Sequence, residues 1–121
     1  MIDVQRIGPD DAVAIVAIDR PERRNALNGE VIQGLTQAFE ALRDDVSCKV
    51  VVLTGKGGFF SAGADLTTFN GVGAETDPNR TLRSLAAGGR LCHLLENLPQ
   101  ITVAAIEGGA VGGGLGLAVA C

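Results

Sequence analysis

Apolar positions along the chain fall into short runs and one long helical stripe. Ile2 to Ile7 alternates weakly and meets Gly8-Pro9-Asp10-Asp11, a turn signal. Ala12 to Ile18 is a continuous apolar run of strand length. The two runs predict a β-hairpin whose second strand is buried on both faces. A polar loop follows at Asp19 to Arg24. Asn28 is placed to cap a helix, with Glu30 in its first turn. Val31, Ile32, Leu35, Ala38, Phe39 and Leu42 then recur at three- and four-residue steps, with Gln33, Gln37, Glu40 and Arg43 opposite them. Asp44 and Asp45 end that pattern, and Lys49 to Thr54 predicts a second buried strand.

Gly55 to Asp65 is glycine-rich and Asn70 to Pro78 is polar, so both predict loops. Asn79 is the expected cap of a helix through Leu82, Leu85, Ala86, Cys92, Leu95 and Leu98, closed by Pro99. Ile101 to Ile106 predicts a third buried strand, Gly108 to Gly114 a second glycine loop, and Leu115 onward a helix. Strand, glycine loop and helix thus recur, which argues an α/β fold. Ile101 to Cys121 also has the length of a membrane span, and it contains small-xxx-small spacing. The glycines cluster directly after a β-branched run, however, and a strand, a tight turn and a helix start explain that order better. The last residues, Leu117 to Cys121, form an apolar helical segment without a capping residue, so its final carbonyls are expected to lack partners. This reads as the edge of a longer domain.

Composition narrows the function. The 121 residues carry a net charge of −4, with no Trp, no Tyr and only four Phe. Neither a broad basic face for a phosphate backbone nor an aromatic stacking platform is available, which excludes a nucleic-acid-binding module. No basic segment followed by an apolar run opens the chain, so the expectation is a cytoplasmic protein without a membrane anchor. Three widely spaced cysteines, Cys48, Cys92 and Cys121, make neither a disulfide framework nor a zinc site. His93 and Glu96 share a helix face without a third ligand, so no metal is expected.

The glycine loops carry the candidate chemistry. Neither holds a Gly-x-Gly-x-x-Gly register, and Gly55-Lys56 lacks the other residues of a nucleotide-binding P-loop. Backbone N–H groups from two such loops can instead converge on one oxygen as an oxyanion hole. The other reading is that the glycines serve only tight turns and close packing. Asp65 and Glu107, at the loop ends, are suited to holding loop backbone. Arg20, Arg23 and Arg24 form a local basic cluster, either a surface loop or an attractor for phosphates.

Three stretches together carry a family resemblance. Pro21-Glu22-Arg23-Arg24-Asn25-Ala26-Leu27-Asn28, then Phe60-Ser61-Ala62-Gly63-Ala64-Asp65-Leu66, then Ile101 to Gly114 resemble, in order, the crotonase superfamily of enoyl-CoA hydratases and isomerases. The resemblance implies a spiral of ββα turns, of which residues 1–121 are the N-terminal part, incomplete at the C-terminus. It implies acyl-CoA thioester substrates, with no cofactor beyond the substrate's own coenzyme A, and a homo-trimer or hexamer for a full-length protein. The oxyanion donors of the family match the amides of Ala64 and Gly113. The segment Ala62 to Leu66, with Ala64 and Asp65 in it, matches positions that border the CoA moiety, and Arg24 of the basic cluster becomes a candidate for attracting the CoA phosphates.

One departure limits the chemistry. Hydratases of the family carry a glutamate two residues after the glycine triplet, and here that position is Gly116. The second family glutamate lies beyond residue 121. Water addition needs a positioned base and acid. The expectation is therefore an enoyl-CoA hydratase or isomerase of the β-oxidation type whose carboxylate lies outside this stretch. The alternative is a truncated, inactive fragment that binds acyl-CoA or complements another chain.

Overall fold

The computed structural model describes residues 1–67 and 78–121, with backbone alone at Thr81. The loop expected at Asn70 to Pro78 lies outside the described residues except for Pro78. Four strands form one sheet in the order β1-β2-β3-β4: β1 Ile2–Ile7, β2 Val13–Ile18, β3 Val50–Gly55 and β4 Ile101–Ala104. The hairpin is confirmed, with β1 antiparallel to β2 and Val4 opposite Val16. Strands β2, β3 and β4 run parallel, placing Val16 beside Leu53 and Leu53 beside Ala104. Among the described residues the helices that pack on the sheet are α1 Gly29–Arg43, α2 Pro78–Glu96 and α3 Gly113–Ala120. A helical connection between parallel strands is the α/β arrangement that the alternation predicts.

The core lies between one face of the sheet and these helices. Ala14, Val16, Ile18, Val51 and Leu53 point into it from the strands. Val31, Leu35, Phe39 and Leu42 meet them from α1, Leu91 and Leu95 from α2, and Leu117 from α3. Asn28 caps α1 as its position predicts, its Oδ1 accepting from the Val31 amide at 2.9 Å.

Four sequence expectations change. Strands β3 and β4 are not buried on both faces, whereas in β2 Ala17 is buried opposite Val16 and Ile18: burial alternates along β3, and in β4 Ile101 is 69% and Val103 44% exposed. Their side chains share the sheet face opposite the helices, which no described element covers as fully. Helix α2 begins at Pro78, so Asn79 sits inside its first turn rather than capping it. The apolar positions Leu82 and Leu85 are exposed, and only the C-terminal half of α2 reaches the core. Helix α3 begins at Gly113, two residues earlier than the pattern suggests, and the carbonyl of Cys121 accepts a hydrogen bond from Thr102 Oγ1 at 3.1 Å. Residues 101–121 hold a strand, a loop and a short helix, and no helix among the described residues is long and apolar enough to cross a membrane.

Candidate active site

The loops that follow β2, β3 and β4 all leave the sheet at the carboxyl ends of parallel strands, where open α/β sheets place ligand crevices. Two isolated parallel bridges lock them together: Leu27 with Ala64, and Ser61 with Ala110. Across the first bridge the Leu27 amide donates to Gly63 O at 2.7 Å and the Asp65 amide donates to Leu27 O at 3.1 Å. In a parallel bridge the flanking residues make the bonds, so the Ala64 N–H faces away from Leu27. Across the second bridge the Ser61 amide donates to Gly109 O at 3.2 Å and the Val111 amide to Ser61 O at 3.0 Å.

Helix α3 begins directly after this bridge. Its Gly114 amide donates to Val111 O at 2.9 Å, while Gly113, in the first turn, has no intrahelical acceptor. Among the described residues, neither the Ala64 nor the Gly113 amide donates a hydrogen bond. A Cβ built on Gly113 would lie 3.9 Å from the Ala64 nitrogen, and one built on Gly63 would lie 3.1 Å from the Gly113 nitrogen. Among the described residues, two amides without a hydrogen-bond acceptor therefore lie close together. The start of α3 adds the partial positive charge of a helix N-terminus there.

Two glycines make this approach possible. Gly63 has φ +84°, and a Cβ there would come within 2.5 Å of Val111 O. At Gly114 a Cβ would collide with Ser61 O and lie 2.8 Å from Ser61 Cβ. Any side chain at either position would push the β4 loop and α3 away from the β3 loop.

Buried polar side chains fix the loops in place. Asn25 is fully buried with φ +55°, a conformation that asparagine tolerates better than most residues. Its Oδ1 accepts from the Arg20 amide at 2.8 Å, and its Nδ2 donates to Lys56 O at 2.9 Å and Phe59 O at 2.6 Å. Ser61 Oγ donates to Asn25 O at 2.8 Å and accepts from the Gly63 amide at 3.2 Å. Arg20 Nη1 pairs with Asp65 Oδ2 at 2.7 Å, their side chains 13% and 7% exposed. Asp65 Oδ1 accepts from Thr67 Oγ1 at 2.6 Å and the Thr67 amide at 3.0 Å. The Thr67 hydroxyl and then the Arg20 guanidinium hold the Asp65 carboxyl down at about 2, against the opposing effect of burial.

The sequence-predicted residues separate into groups. Ala64 and Gly113 come together; Ala62 and Leu66 flank Ala64 in the same loop, Leu66 being 67% exposed. Asp65 lies beside them with its carboxylate bonded to Arg20 and Thr67. Arg20 thereby leaves the basic cluster, because its charge is already paired; Arg24 remains exposed, its guanidinium carbon 6.0 Å from the Phe59 ring centre. Glu107 holds loop backbone through its carbonyl, which accepts from the Phe60 amide at 2.9 Å. Gly116 faces Cys92, whose Sγ would lie 3.8 Å from a Cβ built there. Burial, and secondarily Glu96, pushes the Cys92 thiol above its usual range. Asn25, Ser61 and Arg20 were not singled out as loop anchors from the sequence.

A cavity of about 1170 Å³ opens beside the two amides, between α1 and α2. Ala64, Gly113, Leu27 and Leu117 lie in its wall at that end.

Comparison with known proteins agrees with this architecture. The family model for Enoyl-CoA hydratase/isomerase matches residues 8–121. The chain belongs to this family, within the crotonase superfamily. It is 46% identical over 112 residues to a putative enoyl-CoA hydratase of Thermus thermophilus, covering 90% of this chain and 43% of the relative. It is 38% identical over 112 residues to 4-chlorobenzoyl coenzyme A dehalogenase-1 of Arthrobacter, covering 92% and 40% respectively. The crystal structure of an enoyl-CoA hydratase from Bacillus anthracis superposes with a TM-score of 0.90 at 30% identity, over 99% of this chain and 45% of that one. The chain thus spans less than half the length of these relatives, and its fold is the corresponding part of a crotonase fold.

Proposed function

We propose that residues 1–121 form the thioester-binding part of an acyl-CoA-processing enzyme of the hydratase or isomerase type. The Ala64 and Gly113 amides serve as its oxyanion hole. The observation that carries this reading is the proximity of two amides that have no acceptor among the described residues and that both line one cavity. A thioester carbonyl oxygen placed between them would accept both hydrogen bonds. As electron density moves onto that oxygen in an enolate-like state, the two bonds strengthen, and fixed donors need no reorganisation at that moment. Losing one such donor typically costs about 10²–10³ in rate. Arg24, Ala62 and Leu66 are then positioned to border the CoA moiety, and Asp65 holds the loop that carries Ala64.

Proton transfer is a separate requirement. Gly116 brings no carboxylate to the position where hydratases of the family carry one. In this reading the acid or base comes from chain outside residues 1–121, and a trimer or hexamer is the assembly of the whole protein. A second reading rests on the same residue: residues 1–121 bind acyl-CoA, or complement another chain, without turnover. The dehalogenase among the relatives leaves room for chemistry other than hydration.

The test is a titration of the ¹⁵N-labelled protein with acetyl-CoA and with S-ethyl-CoA, a thioether that lacks the carbonyl. The Ala64 and Gly113 amide protons are expected to move downfield with the thioester and not with the thioether. Equal responses to both ligands, or none, would remove the oxyanion-hole reading. A spectrophotometric assay of crotonyl-CoA hydration separates the two readings of turnover. Hydration by residues 1–121 alone would sink the proposal that the carboxylate is supplied from elsewhere.

A further inference from the structure

The cavity beside the amides is larger than a short acyl group needs. Its volume of about 1170 Å³ exceeds the roughly 300–1,000 Å³ usual for small-molecule pockets. Its walls follow α1 from Gly29 to Glu40 and α2 from Arg80 to Leu94. At 1.5 Å per residue the α1 wall alone is roughly 17 Å long. Toward the core the lining is apolar, with Leu27, Ile32, Leu91, Leu94 and Leu117.

The α2 wall contains two residues that helix formation does not favour. Gly88 and Gly89 are consecutive and interior to a 19-residue helix. Each costs about 1 kcal/mol relative to alanine. Close packing is the usual reason for a helical glycine, and it operates at Gly34 of α1, where a Cβ would lie 2.7 Å from Ile2 Cγ1. At Gly88 and Gly89 a Cβ would meet no atom within 4 Å. Neither residue has a left-handed φ. Nothing in the fold of the described residues calls for glycine there, yet both residues line the cavity that holds Ala64 and Gly113.

We propose that Gly88 and Gly89 keep this wall open for the acyl group, and that the chain takes thioesters with long aliphatic acyl chains in preference to acetyl-sized ones. The inference rests on the thioester reading above, because the occupant is assigned from the continuity of the cavity with the two amides. The acyl chain leaves the carbonyl between Ala64 and Gly113 and lies along the apolar floor, passing the two glycines. Side chains at these positions fill the space that the acyl chain uses, without meeting any atom of the described residues within 4 Å of their Cβ.

The test is calorimetric titration of the 121-residue protein with acetyl-CoA and decanoyl-CoA, for the wild type and for Gly88→Leu, Gly89→Leu and Gly88→Ala. The wild type is expected to bind decanoyl-CoA at least about tenfold more tightly than acetyl-CoA. Gly88→Leu and Gly89→Leu are expected to bring that ratio close to one, with Gly88→Ala between them and the wild type. Thermal melts on the same samples are expected to show folded variants, because leucine and alanine are better helix formers than glycine. A wild type that binds both thioesters equally overturns the inference, as does a preference retained by folded leucine variants. Binding of neither thioester by the wild type overturns the thioester reading itself, and the inference with it.

Discussion

On the loop side of the cavity, Asn25, Ser61 and Asp65 are buried, and each is tied to backbone or to a charged partner by short hydrogen bonds. On the helix side, α2 presents the exposed Leu82 and Leu85 and two glycines at which a Cβ would meet no described atom within 4 Å. The two sides serve different physical demands. In the proposed reading, a pair of N–H donors acts on a developing charge only if it is held within a fraction of an ångström, which the directional bonds of the loops would provide. In the same reading, a wall that contacts a hydrocarbon chain needs only shape and apolar surface, and would tolerate a low density of contacts. Stability is spent unevenly as a result, and substitutions on the two sides should move it in opposite directions.

Gly63→Val should have the largest effect. It combines a φ of +84° with a Cβ within 2.5 Å of Val111 O. Strain and steric conflict together predict a loss of about 4 kcal/mol or more, read as a collapse of the urea midpoint. A midpoint within error of the wild type would show that the loops are less constrained than their geometry implies. Asn25→Ala should follow, at about 3 kcal/mol, because the Lys56 and Phe59 carbonyls and the Arg20 amide lose their partner in the interior.

The Arg20–Asp65 pair sharpens the comparison through pH. The Asp65 carboxyl is held down at about 2 in the folded protein, whereas an unfolded aspartate titrates near ~3.9. Its contribution is therefore complete above the unfolded value and is lost as pH falls from about 4 toward 2. Asp65→Asn should lower the melting temperature at pH 7 and flatten its acid dependence between pH 4 and 2. A slope unchanged by this substitution would place the acid sensitivity elsewhere; Asp45, bonded to Arg6 and Ser47 and also held below the usual carboxylate range, is the alternative source. The smallest effect is of opposite sign. Gly88→Ala should raise stability by up to about 1 kcal/mol, visible as a higher thermal midpoint. Destabilisation would mean that Gly88 has a packing partner after all.

The elements of this protein were legible because their signals are local. The Asn28 cap acts on Val31, three residues away, and the apolar stripe of α1 repeats within each turn. The three site segments could also be picked out, since each is a short motif at the end of an apolar run, polar at Pro21 to Asn28 and rich in small residues in the other two. Burial of β4 was not legible, because an apolar strand reads the same whether one or both of its faces are covered. The two-residue shift at the start of α3 follows from the Val111 and Gly112 carbonyls, which accept from Gly114 and Gly116.

What only the tertiary structure decided is the set of long-range partnerships. Arg20 and Asp65 are 45 residues apart, and Asn25 reaches carbonyls 31 and 34 residues away. No spacing rule connects such positions, because their proximity depends on how β2, β3 and β4 align in the sheet. The same alignment, with Gly63 and Gly114 allowing backbone to approach backbone, is what brings Ala64 and Gly113 close together. The sequence by itself determined the elements and the small residues that permit this approach. Register and packing decided which groups meet, since hydrogen bonds between distant segments form only after the sheet has brought them within reach.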